Sequence, residues 1–525
     1  MGSIERFCGE RLRGSCDTDD KTLRRHSTDM SIYAITPLAV VRPEGRDDVP
    51  RLLRFCSDER IAVTPRAGAS NTGGAAIGSG VVLVQPDVPT GAEESARFES
   101  HGDRLLIEVP AGMRHDRVQR LLNDRGYHLP SDPSSGPLSY IGANVATKAS
   151  GAHALGDGAI DRYLHSVVAV LPDGRRIDTA VPDSLPAPIA DGLLRIADGL
   201  RARSDLCERI RAVASRKSAS GYNLAALVDA PDPDLARLFA GSVGTLGVIE
   251  TVRLLCPRQE SGSALLVIAF ASEEAACDAL PAVRDTDPAA CEILDSFCTS
   301  ILNGQGVDLP REAAALLVVE YAAVDPDAAR DAVERARERL AGSATALSAE
   351  PMVAPDAQAR FWKARKSMML RLRGLGRERA ALSVVNDVGV PVERLSAFWR
   401  EARSIFDRLD IPAPIYGHAA DGNLHLRPLF DATDPDLRQT VRAVADRIYG
   451  LVLSIGGTIT GEHGMGRLRS PFLRREWGDE LHSVMLQLNR LFDPHEIMNH
   501  DAMFYEGDLL AYFNPPSGSS EPSGP

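Results

Sequence analysis

Apolar residues recur along this chain in two rhythms, one with a period near two and one near 3.6, and their alternation orders the elements. Short apolar runs bounded by glycine and proline predict strands at Leu38–Arg42, Ala62–Pro65, Val81–Gln85 and Leu105–Val109. Between the first two, Val49, Leu52, Leu53 and Cys56 fall on one helical face, which predicts a helix over Asp47–Asp58. The same spacing predicts helices over 114–125, 188–200 and 205–214, and Pro172-Asp173-Gly174 turns a hairpin between 163–171 and 175–178. The segment 244–255 closes this first α+β region. Strands at 264–271, 315–321 and 382–391 then mix with helical patterns near 273–283 and 325–341, which predicts a separate α/β layer running to about 410. Helical spacing returns at 438–455 and 478–491, and Phe492-Asp493-Pro494 stops the last helix.

Bulk properties narrow the classes. With 525 residues the chain has room for two or three domains, and 44% hydrophobic with 25% charged residues is a globular composition. A net charge of −13 without a basic run argues against nucleic acid as a partner. The 8 cysteines contain no Cys-x-x-Cys, so no zinc ribbon or iron–sulfur cluster is expected within the chain; buried thiols in a reducing cytoplasm are. The longest apolar run, 313–324, is too short to span a bilayer and contains Glu320, and no leader pattern opens the sequence. The expectation is a soluble cytoplasmic protein without a transmembrane segment, with any membrane contact peripheral, at the inner face. Residues 1–30 read as a polar arm laid over the body. The Pro/Gly/Ser-rich end, 506–525 at its widest, reads as disordered. Lysine is scarce, at positions 21, 148, 217, 363 and 366, which makes each one worth checking.

Two kinds of segment carry chemistry. Glycine-rich loops follow strands at Arg66-Ala67-Gly68-Ala69-Ser70-Asn71, at Pro133-Ser134-Ser135 leading into Gly142, Asn144, Ser150 and Gly151, and at Gly244 to Ile249. Each alone is as well read as a tight turn. Together, with exposed N–H groups and the Arg66 charge, they suit one large phosphate-bearing cofactor lying across all of them. Neither a Walker A loop nor a dinucleotide Gly-x-Gly-x-x-Gly occurs. The second kind is Gly417-His418-Ala419-Ala420-Asp421-Gly422-Asn423-Leu424-His425 with Gly461-Glu462-His463-Gly464 downstream. A two-residue turn at Asp421-Gly422 would pair Ala420 with Asn423 and His418 with His425, side by side on one face. Two imidazoles so placed, with Glu462, make a three-ligand divalent-metal site with an open position, which is a catalytic pattern.

In these residues the chain resembles the FAD-linked oxidases of the vanillyl-alcohol-oxidase type, within them the D-lactate, glycolate and D-2-hydroxyglutarate dehydrogenase branch. The resemblance also rests on Ser220-Gly221-Tyr222-Asn223-Leu224 and on Leu491 to Pro494 with Met498-Asn499, and it runs from about 36 to 503. It implies an α+β chain in which a split FAD-binding domain, 31–255 completed by 416–505, brackets an inserted α/β cap domain, 256–415, carrying an antiparallel sheet. It implies non-covalent FAD along the three loops, a divalent metal (zinc or manganese) on His418, His425 and Glu462, and His463 as general base. The sequence departs from the family at Ala67 and Ala69, where glycine is usual, at Ala420, at Lys366 after the cap arginine, and at Val385. The last two fall in the substrate pocket and leave the substrate open. Relatives often continue into a cysteine-rich iron–sulfur domain; here a separate iron–sulfur subunit, or a quinone or cytochrome acceptor, is expected, and a homodimer is compatible.

The chemistry that follows is oxidation of a small 2-hydroxy acid to the 2-oxo acid, with hydride passing to flavin N5. The metal would lower the hydroxyl pKa, His463 would take the proton, and Arg365 would pair with the carboxylate. Arg427, two residues after His425 and so on the same strand face, is a second candidate for that pairing. Both arginines read as well as solvated surface residues, and Tyr222 and Asn223 as well as packing. Rival functions are a metal-dependent hydrolase using the same His/His/Glu set, a non-catalytic flavoprotein subunit of a larger dehydrogenase, and an oxidase passing electrons to oxygen. A yellow preparation would eliminate the first, retention of all four metal and base residues speaks against the second, and peroxide production would mark the third.

Overall fold

The computed structural model describes residues 2–89, 95–340, 346–374 and 379–516. Its first sheet has the spatial order Ser15–Asp17, Ala39–Arg42, Val81–Val84, Val63–Arg66. The last three are parallel, joined through the helix Asp48–Glu59, whose Leu52, Leu53 and Cys56 are buried against them. The polar N-terminal segment is more than an arm: the helix Ser3–Arg11 buries Ile4 and Cys8, and Ser15–Asp17 pairs with Ala39–Arg42. A second sheet is antiparallel, in the order Arg97–His101, Arg104–Pro110, Val248–Cys256, Leu164–Val170, Arg176–Asp178. Both belong to the N-terminal region.

The third sheet positions the site. Its order is Ala346–Met352, Gly262–Phe270, Ala315–Ala323, Ala290–Asp295, Ile415–His418, Asn423–Leu426, Val388–Gly389, antiparallel throughout. Both faces of this sheet are covered, which explains its near-continuous apolar strands. Leu316 and Val318 pack to one side, with the helices Ser296–Asn303 and Pro355–Lys366, while Leu317 and Val319 enter the main core on the other. Glu292 lies in the middle of this sheet with no exposed surface.

Several expectations need correction. The boundary at 415/416 falls inside the strand Ile415–His418, which pairs with Ala290–Asp295; the hairpin is thus a continuation of the cap sheet. The predicted strand over 382–391 is reduced to Val388–Gly389, because Asn386 and Asp387 turn their side chains into polar partners instead of a ladder. The last helix runs over Ser470–Phe492 with a kink at Gly478, whose φ is +74°. The C-terminal stretch from 506 to 516 is not loose: Leu509 and Leu510 are buried, Tyr33 donates its hydroxyl to the Leu509 carbonyl, and Asn514 N donates to Ile32. Residues 517–525 lie outside the described residues. All eight cysteines are free and all but Cys16 are buried. No helix among the described residues is long and apolar enough to cross a membrane.

The hairpin turn depends on one glycine. Ala419–Asp421 forms a 3-10 turn and Gly422 follows in the left-handed region at φ +74°, with a Cβ there running into the Val390 carbonyl. Gly422→Ala is expected to cost more than the about 1–2 kcal/mol of a left-handed alanine, since the clash adds to it. A drop of several degrees in the thermal unfolding midpoint is the outcome to look for.

Candidate functional site

The turn at Ala419–Asp421 changes the register that the sequence suggests. His418 stands opposite Asn423, and His425 opposite Tyr416. A shift by an even number of residues leaves every side chain on its own face, so the two histidines remain neighbours, now diagonal. Their ring centroids are 5.3 Å apart. Glu462 arrives from the loop after Thr460, and donor atoms of His418, His425 and Glu462 all lie within 4.8 Å of one another. Glu462 Oε2 is 3.4 Å from His418 Nε2, and Oε1 is 3.4 Å from His425 Nε2.

Each imidazole is oriented from behind. His425 Nδ1 donates to the Asn386 carbonyl at 3.0 Å, which leaves the Nε2 lone pair facing Glu462. His418 Nδ1 donates to Glu292, the residue opposite it on the neighbouring strand. Burial alone would lower the His418 pKa, but the Glu292 charge outweighs it and lifts the pKa to about 9. Burial would raise the Glu292 pKa, yet Arg365 and His418 together pull it down to about 2. Glu462 Oε2 is buried and receives no hydrogen bond; the Lys217 ammonium stands 3.0 Å away as an ion pair only. Two inward Nε2 atoms and a carboxylate oxygen without a donor fit a divalent cation with nitrogen and oxygen ligands.

Asp387, with no exposed surface, organises the loop that carries Glu462 and His463. Its carboxylate accepts from the backbone N–H of Glu462 at 3.1 Å and of His463 at 2.8 Å, and from Asn423 and Thr460 side chains. Burial opposes this charge, but His463 and Arg469 hold the carboxyl well below the usual range. Gly461 is required by close approach: a Cβ there would collide with Asn423 Nδ2. The His463 ring stacks on His425 at 5.5 Å and 11°. Its Nδ1 faces the Asn386 amide at 3.2 Å and the Thr72 hydroxyl at 3.4 Å, with Asp387 Oδ2 at 3.9 Å; Nε2 faces Glu462.

Glu462 and His463 open onto a long cavity that the three glycine-rich segments line. The loop residues that the sequence nominates are in its wall except Thr245 and Leu246, which are buried, and Gly151, which packs so close to the backbone of Asp132 that a Cβ would collide there. No acceptor among the described residues reaches the amide N–H of Gly68, Ala69, Ser70, Asn71 or Thr72. Such a run of free amides, with Ala69 in the left-handed region at φ +54°, is a concavity for anionic oxygens and fits a pyrophosphate. Arg66 does not serve it in the way its charge suggests. Its guanidinium donates to the carbonyls of His26, Thr28 and Ala76, a brace beneath the loop.

Other nominated residues also move. Arg365 and Arg427 are 7% and 4% exposed, so neither is a surface residue. Arg365 is ion-paired to Glu292 through Nε and lies over the Tyr416 ring at 4.5 Å, while its Nη2 is buried without a partner. Arg427 Nε donates to the Tyr416 hydroxyl at 3.3 Å. Tyr222 is a packing residue, bonded to Thr245 and Asn489, and Asn223 donates to Asp161. Lys366 pairs with Asp132 at 2.5 Å at the cavity wall. Sequence reasoning gave no role to Glu292, Asp387 or Asn386. A charged residue inside an apolar strand-like run, as in Ala290–Leu294 and Val384–Val390, was the available signal.

Two family models match: the FAD binding domain over residues 37–180 and the FAD linked oxidases, C-terminal domain, over 260–502. The chain is 27% identical to the glycolate oxidase subunit GlcD of Bacillus subtilis (strain 168), covering 90% of both chains. It is 25% identical to the mitochondrial D-lactate dehydrogenase [cytochrome] of Arabidopsis thaliana, over 88% of this chain and 72% of that one. It is 26% identical to the D-2-hydroxyglutarate dehydrogenase of Escherichia coli (strain K12), and spans 48% of that longer protein. Among solved structures, p-cresol methylhydroxylase has the same fold, with a TM-score of 0.67 at 12% identity over 94% of this chain and 95% of that one.

The buried carboxylate of Glu292 generates a prediction. Glu292→Gln leaves two buried cations without their anion, a loss of about 3–5 kcal/mol. A carboxyl whose pKa is lowered on folding stabilises above its unfolded value of 4.5 and loses that contribution as pH falls toward about 2. The gap in melting temperature between wild type and variant should therefore be full at neutral pH and narrow below pH 4.5.

Proposed function

The chain belongs to the FAD-linked oxidases, and from that premise we propose that it oxidises a small D-2-hydroxy acid, of the D-lactate, glycolate or D-2-hydroxyglutarate type, to the 2-oxo acid. It is an FAD-dependent oxidoreductase acting on a CH–OH group, as the names of its relatives have it. One observation carries the finer reading: Glu462, grouped with His418 and His425, and the adjacent His463 line the same cavity as the free amides of the glycine-rich loop. A redox cofactor and a hydroxyl-bearing carbon are thereby brought to one place.

Bound there, a flavin supplies a two-electron acceptor, and a zinc or manganese ion on the three ligands supplies the charge that acidifies a hydroxyl group. The protein does the rest. Arg365 offers its unpartnered Nη2 to the substrate carboxylate, with Nε held by Glu292 so that the fork is fixed in direction. His463 takes the hydroxyl proton. Doing so at Nε2 requires the ring's other proton on Nδ1, where the Thr72 hydroxyl can accept it and Asp387 compensates the charge; the Asn386 amide, which donates to Nδ1, opposes that tautomer. Electrons leave to a separate iron–sulfur subunit or to a quinone or cytochrome, in keeping with one relative being described as a subunit.

Anaerobic titration with D-lactate, L-lactate, glycolate and D-2-hydroxyglutarate should bleach the flavin with at least one of them. His463→Ala should retain FAD and metal while flavin reduction slows by about a hundredfold or more; reduction at the wild-type rate would sink the base assignment. Chelation should abolish reduction and leave the flavin bound, and unchanged turnover in metal-free protein would defeat the metal role.

A further inference from the structure

This inference rests on the reading of His418, His425 and Glu462 as a metal site and concerns what holds its carboxylate in place. The Lys217 side chain is 5% exposed. Its Nζ donates to the Gly151 carbonyl at 3.1 Å and is ion-paired to two carboxylates, Glu462 Oε2 at 3.0 Å and Asp421 Oδ2 at 3.4 Å. Both of those oxygens are buried and receive no hydrogen bond. The backbone that carries Lys217 is tied to the chain leading into Glu462. Ala219 N–H donates to the Thr460 carbonyl at 3.0 Å, and the Ser218 and Thr458 hydroxyls are bonded at 3.0 Å. The ammonium is therefore tethered to the loop it serves.

Nothing else in this loop fixes the direction of the Glu462 carboxylate so firmly. Asp387 holds the Glu462 backbone N–H, which sets where the side chain starts and leaves its torsions free. The imidazoles of His418, His425 and His463 stand 3.4–3.5 Å from the carboxylate oxygens. Glu462 also lines the cavity of the glycine-rich loops, so it has space to turn away. Asp421 gives it a reason to: two buried carboxylates around one cation repel each other once the cation is gone.

We propose that Lys217 is a positioning residue of the metal site, whose ammonium holds Glu462 Oε2 in the direction of the two histidines. An ammonium this close to a divalent ion would by itself weaken binding. Asp421 offsets that repulsion, because aspartate, lysine and glutamate alternate in sign and a cation on Glu462 continues the alternation. The ion pair also stands between two cavities. Lys217, Asp421 and Gly461 line a second one, of about 860 Å³, whereas Glu462 and His463 line the first. Small solutes in the second cavity can thus reach the lysine position.

That access supplies the test. Zinc and manganese(II) are titrated separately into FAD-loaded protein first stripped of metal with a chelator, and Kd is read by calorimetry. Lys217→Ala should bind the ion about tenfold or more weakly. Propylammonium has the atoms that this substitution removes and should restore most of the loss; propanol, of the same size without the charge, should not. Equal or tighter binding in Lys217→Ala would overturn the proposal, the second by showing that the ammonium competes with the ion. Equal rescue by propanol would overturn it too, since packing and not charge would then be what was lost. Lys217→Gln keeps a donor for the Gly151 carbonyl and should show the same loss; wild-type affinity in that variant is decisive against the proposal even if Lys217→Ala does not fold. Should the wild-type protein take up neither ion, the reading of the three ligands as a metal site fails, an outcome distinct from uptake that is indifferent to Lys217.

Discussion

Glu292 is a carboxylate with no exposed surface, held between a histidine from the next strand and an arginine from a helix on the sheet's face. A buried charge persists only when its partners are themselves fixed. Here that requirement works outward in two directions. On one side it fixes the His418 ring with Nε2 toward Glu462. On the other it fixes the Arg365 fork and leaves one nitrogen unsatisfied. One carboxylate therefore orients both the His418 imidazole, one of three donors that could hold a metal ion, and the Arg365 guanidinium, and it can do so because the hairpin continues the sheet that carries Glu292.

Asp387 plays the matching part for the opposite wall. By accepting the consecutive N–H groups of Glu462 and His463 it sets the backbone of the turn that presents both side chains. The neighbouring Asn386 gives its carbonyl to His425 and its amide to His463. The segment from 383 to 387 thus bends instead of joining a ladder, and the polar groups of Asn386 and Asp387 serve the site. Glu462 and His463 also line the cavity of the glycine-rich loops, and so this wall joins the hairpin to those loops.

Much of this was legible in the sequence. Period-two and period-3.6 patterns located most strands and helices to within a residue or two, because those elements each bury one face. The Gly-bracketed Glu462-His463 and the spacing of His418 and His425 pointed to side chains that the fold does bring together, as a group that could hold a metal ion. The register did not follow: Asp421-Gly422 suggested a two-residue turn, whereas Ala419 and Ala420 wind into it and the pairing moves. The chemistry survived because the displacement is even. Arg365 was left undecided between surface and site, since a helix with lysine on either side looks the same from sequence whichever face is buried.

What the sequence by itself determined, then, is the set of elements, the cofactor-type loops and the ligand residue types, all encoded within short stretches by periodicity and turn chemistry. Only the tertiary structure decided which distant residues meet. Glu292 lies 126 residues before its partner His418, and Asp387 lies 75 before Glu462. Contacts at such separations depend on strand order and on the packing of helices against a sheet covered on both faces, and no local pattern records them.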